Sequence, residues 1–424
     1  MRSRYALRLA LLALILALPG ALAAQVEVIA DGLVTPLGVA VDGDGRVWVA
    51  EAGSGNDDGR VSVLVDGALQ PVVTGLPSVG FDGEVDGIAH LLLTDGALWI
   101  VGGAGPDPAF DLLRFDLAAL TPGTPVGPDA ATFEADLGEW VLDQGYDESN
   151  VYAAVQAEDG ALLLSDAAAN ALLRYEPGDR SRSVLAEFDP VETGATPPVA
   201  DAVPTGLALD GDDVLVGTLT GFPFADGAAK VMRVGLDGTV ETVRDGLTVV
   251  TDVAIDPTDG RPVALQFARF RPQDGYLPGT GRIVKLEADG SATVMADGLN
   301  LAAGLAFADD GTAYVTSLFG QLLRVTPQAT STEGRAARDG LALRAAPTPL
   351  GASTTLSFSL PAPADVRLAV YDVLGREVAR PARGPYAAGD HAVRLDAAAL
   401  AAGVYVIRLE AGGAARTLAV TRAR

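Results

Sequence analysis

Cysteine is absent from this chain of 424 residues, and histidine (His90, His391) and lysine (Lys230, Lys285) each occur only twice. Without thiols there is no disulfide framework, no thiolate nucleophile and no sulfur-ligated metal. Two histidines leave little for imidazole catalysis or for a histidine-rich metal centre. Basic residues number 30 against 55 acidic ones, a formal net charge of −25. So acidic a surface disfavours nucleic acid and anionic lipid faces as partners. Charged residues make up 20% of the chain, apolar ones 49%, and glycine contributes 50 positions. Such a composition supplies a sizeable core and excludes general disorder.

Long apolar runs are scarce too. The longest lies in MRSRYALRLALLALILALPGALAAQ, where Arg2, Arg4 and Arg8 precede an apolar stretch from Leu9 to Leu18. Pro19 and Gly20 break the helix, and Ala21-Leu22-Ala23 forms a small-residue cleavage pattern. A membrane-spanning helix needs about 20 apolar residues, more than this run holds. Residues 1–24 are therefore expected to be a signal peptide, and the mature protein to lack a transmembrane segment.

What is abundant is repetition. Asp31–Glu51 (DGLVTPLGVAVDGDGRVWVAE) and Asp297–Ser317 (DGLNLAAGLAFADDGTAYVTS) share Asp, Gly, Leu, Gly, Ala, Asp, Gly and Val at one constant offset. A period of this kind signals a solenoid, a propeller or an array. The inner-strand signature occurs six times: Gly38-Val-Ala-Val, Gly87-Ile-Ala-His, Val151-Tyr-Ala-Ala-Val, Gly206-Leu-Ala-Leu, Asp252-Val-Ala-Ile and Gly304-Leu-Ala-Phe. Small residues suit strands crowded around an axis. A turn, usually Asp-Gly, then leads to a second strand, because Gly accepts positive φ without steric cost. A third strand carries Arg114, Arg174, Arg233, Lys285 or Arg324 at a fixed place, predicted to pair with acidic turn residues between blades. Trp48, Trp99 and Tyr314 share one position and read as packing between blades.

Four short strands in each of six units predict an all-β, six-bladed β-propeller over residues 25–327. The last unit lacks a fourth strand, and Val26–Ala30 is expected to supply it and close the ring. Thr121–Ser149 fits the repeat worst and reads as an elaborated crossing between the second and third blades. Residues 328–340 are polar and irregular, a linker by content. From Leu341 to Arg424 short alternating strands predict a separate small Ig-like β-sandwich.

Two resemblances add to this reading. Ala346-Pro-Thr-Pro349, Tyr371-Asp-Val-Leu-Gly-Arg-Glu-Val378, Gly389-Asp-His391, Leu400 and Ala402-Gly-Val-Tyr405 make the C-terminal segment similar to the type A sorting domain of the type IX secretion system, found largely in Bacteroidota. That resemblance implies export through the periplasm to the outer-membrane surface or the medium, with the secretion machinery and a sortase as partners. The propeller segment resembles the ScyD/ScyE family, a relative of NHL-type propellers. It does so at Thr74-Gly-Leu-Pro-Ser78, Leu164-Ser-Asp-Ala167, Asn170-Ala-Leu-Leu-Arg174, Val203-Pro-Thr-Gly206 and Val216-Gly-Thr-Leu-Thr-Gly-Phe-Pro-Phe224.

Several residues break or decorate the repeat. Glu51, Gly102, Asp166, Thr218, Gln266 and Ser317 occupy one equivalent position just past each second strand, predicted to ring one mouth of the channel. Such a ring either binds a polar ligand or a cation, Ca²⁺ being suited to oxygen ligands, or is simply a solvated rim. Thr220–Phe224 brackets a proline with Phe222 and Phe224, which either stack on a partner or pack between blades. His90, at the end of an inner strand, is either a channel histidine or a packing residue. Quinoprotein sugar dehydrogenases resemble this fold and use a channel histidine as base. Gluconolactonase-type propellers hold a metal with a Glu-Asn-Asp set, and this chain has four asparagines (Asn56, Asn150, Asn170, Asn300) from which to build one. The expectation is a secreted or cell-surface propeller that binds a ligand or protein at one mouth, through Glu51, His90, Asp166, Thr218, Phe222, Phe224, Gln266 and Ser317. The alternative is a metal-dependent hydrolase or lactonase acting in the channel.

Overall fold

The computed structural model describes residues 25–81, 84–102, 111–326, 342–346, 353–360, 363–372, 376–387, 389–398, 400–401, 403–412 and 414–422. The signal peptide expected at 1–24 and the linker expected at 328–340 lie outside them. Six four-stranded antiparallel sheets form the larger part. Their inner strands are Pro36–Val41, Ile88–Thr94, Val151–Gln156, Pro204–Asp210, Val250–Asp256 and Ala302–Phe307. Each inner strand neighbours the next, and the sixth returns to the first. This is a six-bladed β-propeller.

The first and second strands of every blade meet at a tight turn whose glycine has positive φ: Gly45, Gly96, Gly160, Gly211, Gly260 and Gly311, between +66° and +91°. A side chain is disfavoured there, so the turn glycines of the repeat are a backbone requirement. Buried aliphatic clusters fill each gap between neighbouring blades. Val61, Leu76, Ile88 and Leu98 join the first and second blades, and Leu33, Val49 and Leu322 join the sixth to the first. Trp48 and Trp99 are buried in two successive gaps, as their shared repeat position predicts.

Gln25–Asp31 pairs antiparallel with Gln321–Thr326, from Gln25 opposite Thr326 to Asp31 opposite Gln321. The sixth sheet is thus built from both ends of the ring, which removes an exposed edge. The stretch from Thr121 to Ser149 differs from expectation. It contains the second blade's own fourth strand, Phe133–Ala135, followed by the short helix Gly138–Asp143. The connection before that strand runs back along the first blade, where the Val126 N–H donates to the Val72 carbonyl and the Thr74 N–H to the Val126 carbonyl. It covers the outer edge of that sheet.

The basic ladder differs too. Arg174 pairs with Asp159 and Glu176, Arg233 with Asp210 and Asp213, Lys285 with Asp256 and Asp259, and Arg324 with Glu27. These partners belong to the same blade, where they staple the first turn or an adjacent strand to the third strand. None of these pairs bridges two blades.

The C-terminal part is a β-sandwich. One sheet has three strands, Ala342–Ala346, Ser353–Leu360 and Gly389–Asp396. The other has four, Glu377–Tyr386, Ala364–Asp372, Gly403–Ala411 and Ala414–Arg422. Leu356, Phe358, Leu368, Val370, Ile407 and Leu409 fill its core.

The inner strands of the propeller approach one another more closely than side chains allow. A Cβ on Gly304 would stand 2.4 Å from the Leu37 carbonyl oxygen, and one on Gly38 would stand 3.0 Å from the His90 Cα. The obstacle at both places is backbone, which cannot rotate away. Gly304→Ala is expected to lower unfolding free energy by about 1–3 kcal/mol, as overpacking does. Gly43→Ala, in a turn with nothing within 4 Å of the added methyl, should change it by less than about 0.5 kcal/mol. Equal urea midpoints for the two variants would refute this account of the axis.

Candidate functional site

Antiparallel pairing puts the start of each inner strand beside the end of its second strand. One face of the propeller, the loop face, therefore carries the connections from second to third strands and from blade to blade. The other, the turn face, carries the tight turns. Most insertions sit on the loop face: the hairpins Val79–Phe81/Glu84–Asp86, Val191–Glu192/Val199–Ala200 and Arg269–Arg271/Gly275–Leu277, the helix Gly138–Asp143 and the loop from Leu219 to Ala228.

The six residues expected to ring the mouth do end their second strands on this face, yet their polar groups turn inward. Glu51 is 1% exposed; its carboxylate accepts from the Val34 N–H at 2.8 Å and from Arg60 at 2.6 and 2.7 Å. Asp166 is buried and accepts from Ser149 Oγ and from the N–H groups of Asn150 and Ala169. Gln266 Oε1 accepts the Thr248 N–H at 2.7 Å, and Ser317 Oγ donates to the Asn300 carbonyl. Thr218 Oγ1 accepts the Lys230 N–H at 2.8 Å within its own blade. Gly102, with no side chain, donates its N–H to the Asp111 carbonyl.

These contacts share a purpose. The residue just before the inner strand is left-handed at Thr35 (φ 47°), Val203 (54°), Val249 (46°) and Leu301 (42°), a conformation costly for branched side chains. Glu51, Gln266 and Ser317 clamp the neighbouring residue of that turn. The carbonyls of Thr35, Val203, Val249 and Leu301 accept N–H groups from Ala52, Leu219, Phe267 and Leu318. Glu51, Asp166, Gln266 and Ser317 thus fasten the turn that leads into an inner strand, whereas Thr218 and Gly102 bond within their own blades. They do not fit Ca²⁺: an arginine already occupies the Glu51 carboxylate, and the oxygens of Asp166 are taken by protein donors. Among the described residues no three His, Asp or Glu side chains converge to hold a metal.

Around the axis a second ring emerges from strand register. Trp48 faces Ala40, Trp99 faces Leu92, Leu163 faces Val155, Leu215 faces Ala208, Val263 faces Ala254 and Tyr314 faces Ala306. Two residues earlier on each inner strand stand Gly38, His90, Ala153, Gly206, Asp252 and Gly304. His90 therefore takes the place of Gly38; the second inner strand is offset by three residues from the signature read in sequence. Four of the six are Gly or Ala, as the crowding demands. His90 and Asp252 belong to the second and fifth blades, across the axis from one another.

Buried hydroxyls stitch several seams beside this ring. Ser165 donates to the Thr205 carbonyl (2.6 Å), Thr205 to Val250 (2.8 Å), Thr251 to Ala302 (3.0 Å) and Thr316 to Leu37 (2.7 Å). Asp252 adds to the fifth seam by accepting the Leu305 N–H at 2.7 Å. Burial pushes its carboxyl up to about 7, against the lowering effect of the Leu305 and Val253 N–H groups. Burial pushes His90 down to about 4, and its Nδ1 is buried without a partner. Tyr152 is raised as well, by burial first and by Asp252 second.

The third feature is aromatic. Phe222 is 53% exposed, the most exposed large apolar side chain among the described residues. Its ring lies 6.2 Å from both Phe224 and Phe270, in T-shaped contacts. Phe224, Phe270, Tyr276 and Phe267 pack below at 4.9–5.4 Å. Phe224 thus packs inward, whereas Phe222 crowns the cluster. Phe270, Tyr276, Arg269 and Arg271 were missed in sequence, although the insertion between Gln266 and Gly281 was a visible signal. The ring contacts of Phe222 are with Phe224 and Phe270, and the cluster beneath them includes Leu219, Phe267 and Leu318, each next in sequence to a strand-end residue.

With this geometry in place, comparison with known proteins is informative at one end of the chain. Residues 345–420 match the family described as a secretion system C-terminal sorting domain. This end is a type IX sorting domain. It marks the protein for export to the cell surface or the medium. No helix among the described residues is long and apolar enough to cross a membrane. No curated protein matches the chain.

Several solved structures are similar to this chain. A protein of unknown function from Bacteroides thetaiotaomicron is 13% identical over 72% of this chain and 76% of its own, with a TM-score of 0.50. A gluconolactonase from Xanthomonas campestris is 14% identical over 72% and 90%, TM-score 0.45. PorZ, a surface component of the type IX secretion system of Porphyromonas gingivalis, is 14% identical over 91% and 59%, TM-score 0.36.

Three outcomes test the rings. Glu51→Ala should cost about 2 kcal/mol by orphaning the Val34 N–H, half-exposed Arg60 being free to rehydrate. Added Ca²⁺ should leave the melting temperature of the native chain unchanged, since a ligand of the folded state would raise it. Asp252 has a raised pKa in the folded state, so between about pH 4 and 7 the folded chain holds a proton that the unfolded chain releases. Its contribution is present at low pH and lost as pH rises to 7, at most about 1.4 kcal/mol per unit. His90 works in the opposite sense, losing stability as pH falls from 6.5 towards 4. Asp252→Asn should therefore gain on the native chain as pH rises through this window. Parallel stability curves for the two would contradict the assignment.

Proposed function

We propose that this protein is an exported binding protein that meets a ligand or protein partner through the loop face of its propeller. The observation that carries the reading is Phe222: a large apolar ring held half in water by a rigid aromatic bed, on the face that bears most insertions. Exposed aromatics on a preorganised loop are a usual feature of recognition surfaces. The polar strand-end residues are already hydrogen-bonded within the protein. Binding accounts for this surface with fewer requirements than catalysis does.

Delivery follows from the two ends. Residues 1–24 act as a signal peptide for the inner membrane, and the sorting domain engages the type IX machinery and is removed by a sortase. We read the propeller as ScyD/ScyE-like, a relative of NHL-type propellers, on the resemblance carried by motifs such as Val216–Phe224.

Two experiments test this. Deleting Leu341 to Arg424 should abolish export, leaving the propeller in the periplasm; unchanged amounts outside the cell would refute the sorting role. Hydroxyl-radical footprinting of the full chain on its producing cells, compared with the chain in buffer, should protect Val199 and Phe222 while leaving Leu236, on the turn face, unchanged. Equal labelling of both faces in both settings would end the binding reading.

A further inference from the structure

The aromatic crown is more defined than a generic exposed patch. Its backbone is pinned to the segment leading into the fourth blade: the Thr220 N–H donates to the Ala202 carbonyl at 3.0 Å, and the Gly221 N–H to Asp201 at 2.9 Å. Thr220 (φ 72°) and Phe224 (φ 52°) are both left-handed and non-glycine, a cost that the surrounding contacts hold in place. Below, Val249, Phe267 and Ala268 seal the cluster with Leu219, Leu301 and Leu318. Phe222 is therefore presented in a fixed position, and little ordering entropy remains to be lost on contact.

Its flanks are charged in an unusual way for this chain. Arg269 and Arg271, 47% and 35% exposed, converge on a single carboxylate oxygen of Asp226, at 2.5 and 3.0 Å from Arg269 and 3.1 Å from Arg271. With Asp274 in the hairpin turn, the loop and hairpin sum to zero charge in a protein of −25. Two guanidinium forks on one oxygen hold N–H donors in excess of acceptors, which suits a second carboxylate.

The shape selects the class of occupant. Small molecules are held in concave sites that enclose them, whereas Phe222 protrudes. A second copy of this chain brings another −25 and is repelled. An aromatic knob beside arginines is the composition of energetic centres in protein–protein contacts. The chain also leaves the propeller at Thr326, paired with Gln25 on the turn face. The crown thus lies on the face away from the chain's exit.

We infer that Phe222 anchors a contact with a different protein, which receives the ring in an apolar socket and turns a carboxylate towards Arg269 and Arg271. This rests on the binding role proposed above. The test places a benzophenone amino acid at Phe222, Val199 or Leu236 of the full chain in its producing cells. Ultraviolet light should give a discrete adduct at position 222 whose second component is peptide from one other protein. Arg269→Gln, at a half-exposed side chain outside the core, should cut its yield about tenfold with an unchanged melting temperature, as loss of one charge-assisted contact of about 1.4 kcal/mol would. Position 236 should give none.

An adduct at 199 but none at 222 would overturn the anchor and leave the loop-face role standing. Absence of adducts at both 199 and 222 would overturn both. An adduct at 222 made of lipid, glycan or this same chain would overturn the partner class, and a yield indifferent to Arg269→Gln would overturn the carboxylate.

Discussion

Six inner strands converge on one axis so closely that a methyl group at Gly304 would press on the Leu37 carbonyl, and one at Gly206 would meet the Asp252 backbone. Much else in the propeller answers to that crowding. Each inner strand breaks register near its first residues, as between Pro36 and Val39 or between Ile88 and His90. Such bulges bend a strand and sharpen its twist, which lets it enter the axis at an angle. The left-handed turn before the strand is the next consequence, and the clamp from the end of the second strand is the one after. Glu51, Gln266 and Ser317 differ in charge and size because the turn asks only for a hydrogen-bonding group at that place.

A fold fastened in this way separates its two faces. On the turn face the chain is short and repetitive, and arginine or lysine on third strands neutralises acidic turns within a blade. Exposed pairs of this kind contribute little individually, but they keep an acidic protein from accumulating unpaired charge near its own strands. On the loop face the clamps hold the blade independently of what the loops do, so insertions are tolerated there. The hairpin after Phe267 and the loop after Thr218 could lengthen and gather aromatics without loosening the ring beneath.

Much of the architecture was legible in sequence because turn glycines and inner-strand small residues are backbone demands, and backbone demands repeat. Closure by Val26–Ala30 was legible for the same reason: a missing fourth strand is a counted absence. The candidate site was much less so. Spacing locates Glu51 and Asp166 at a strand end but is silent on whether the carboxylate turns out to a ligand or back to an N–H. The second blade misled by local mimicry, since Gly87-Ile-Ala-His copies the signature three residues before the register that pairing selects. Phe270 and Tyr276 lie some 50 residues along the chain from Phe222, and only the juxtaposition of two neighbouring blades joins them.

The axis and the crown make a useful contrast in how polar and apolar groups are left. At the axis the polar groups are buried, and most are satisfied by the neighbouring blade; a ligand there would have to replace contacts that hold seams together. His90 is the exception, its Nδ1 unpaired, but it stands where glycine stands in the first blade and its neutral form is what burial favours. At the crown the imbalance runs outward. Phe222 keeps half its surface in water above buried Phe267 and half-buried Phe224, Phe270 and Tyr276, and two guanidiniums share one oxygen. An exposed ring on a pinned loop suits recognition, which is why the binding role is proposed for the rim rather than for the channel.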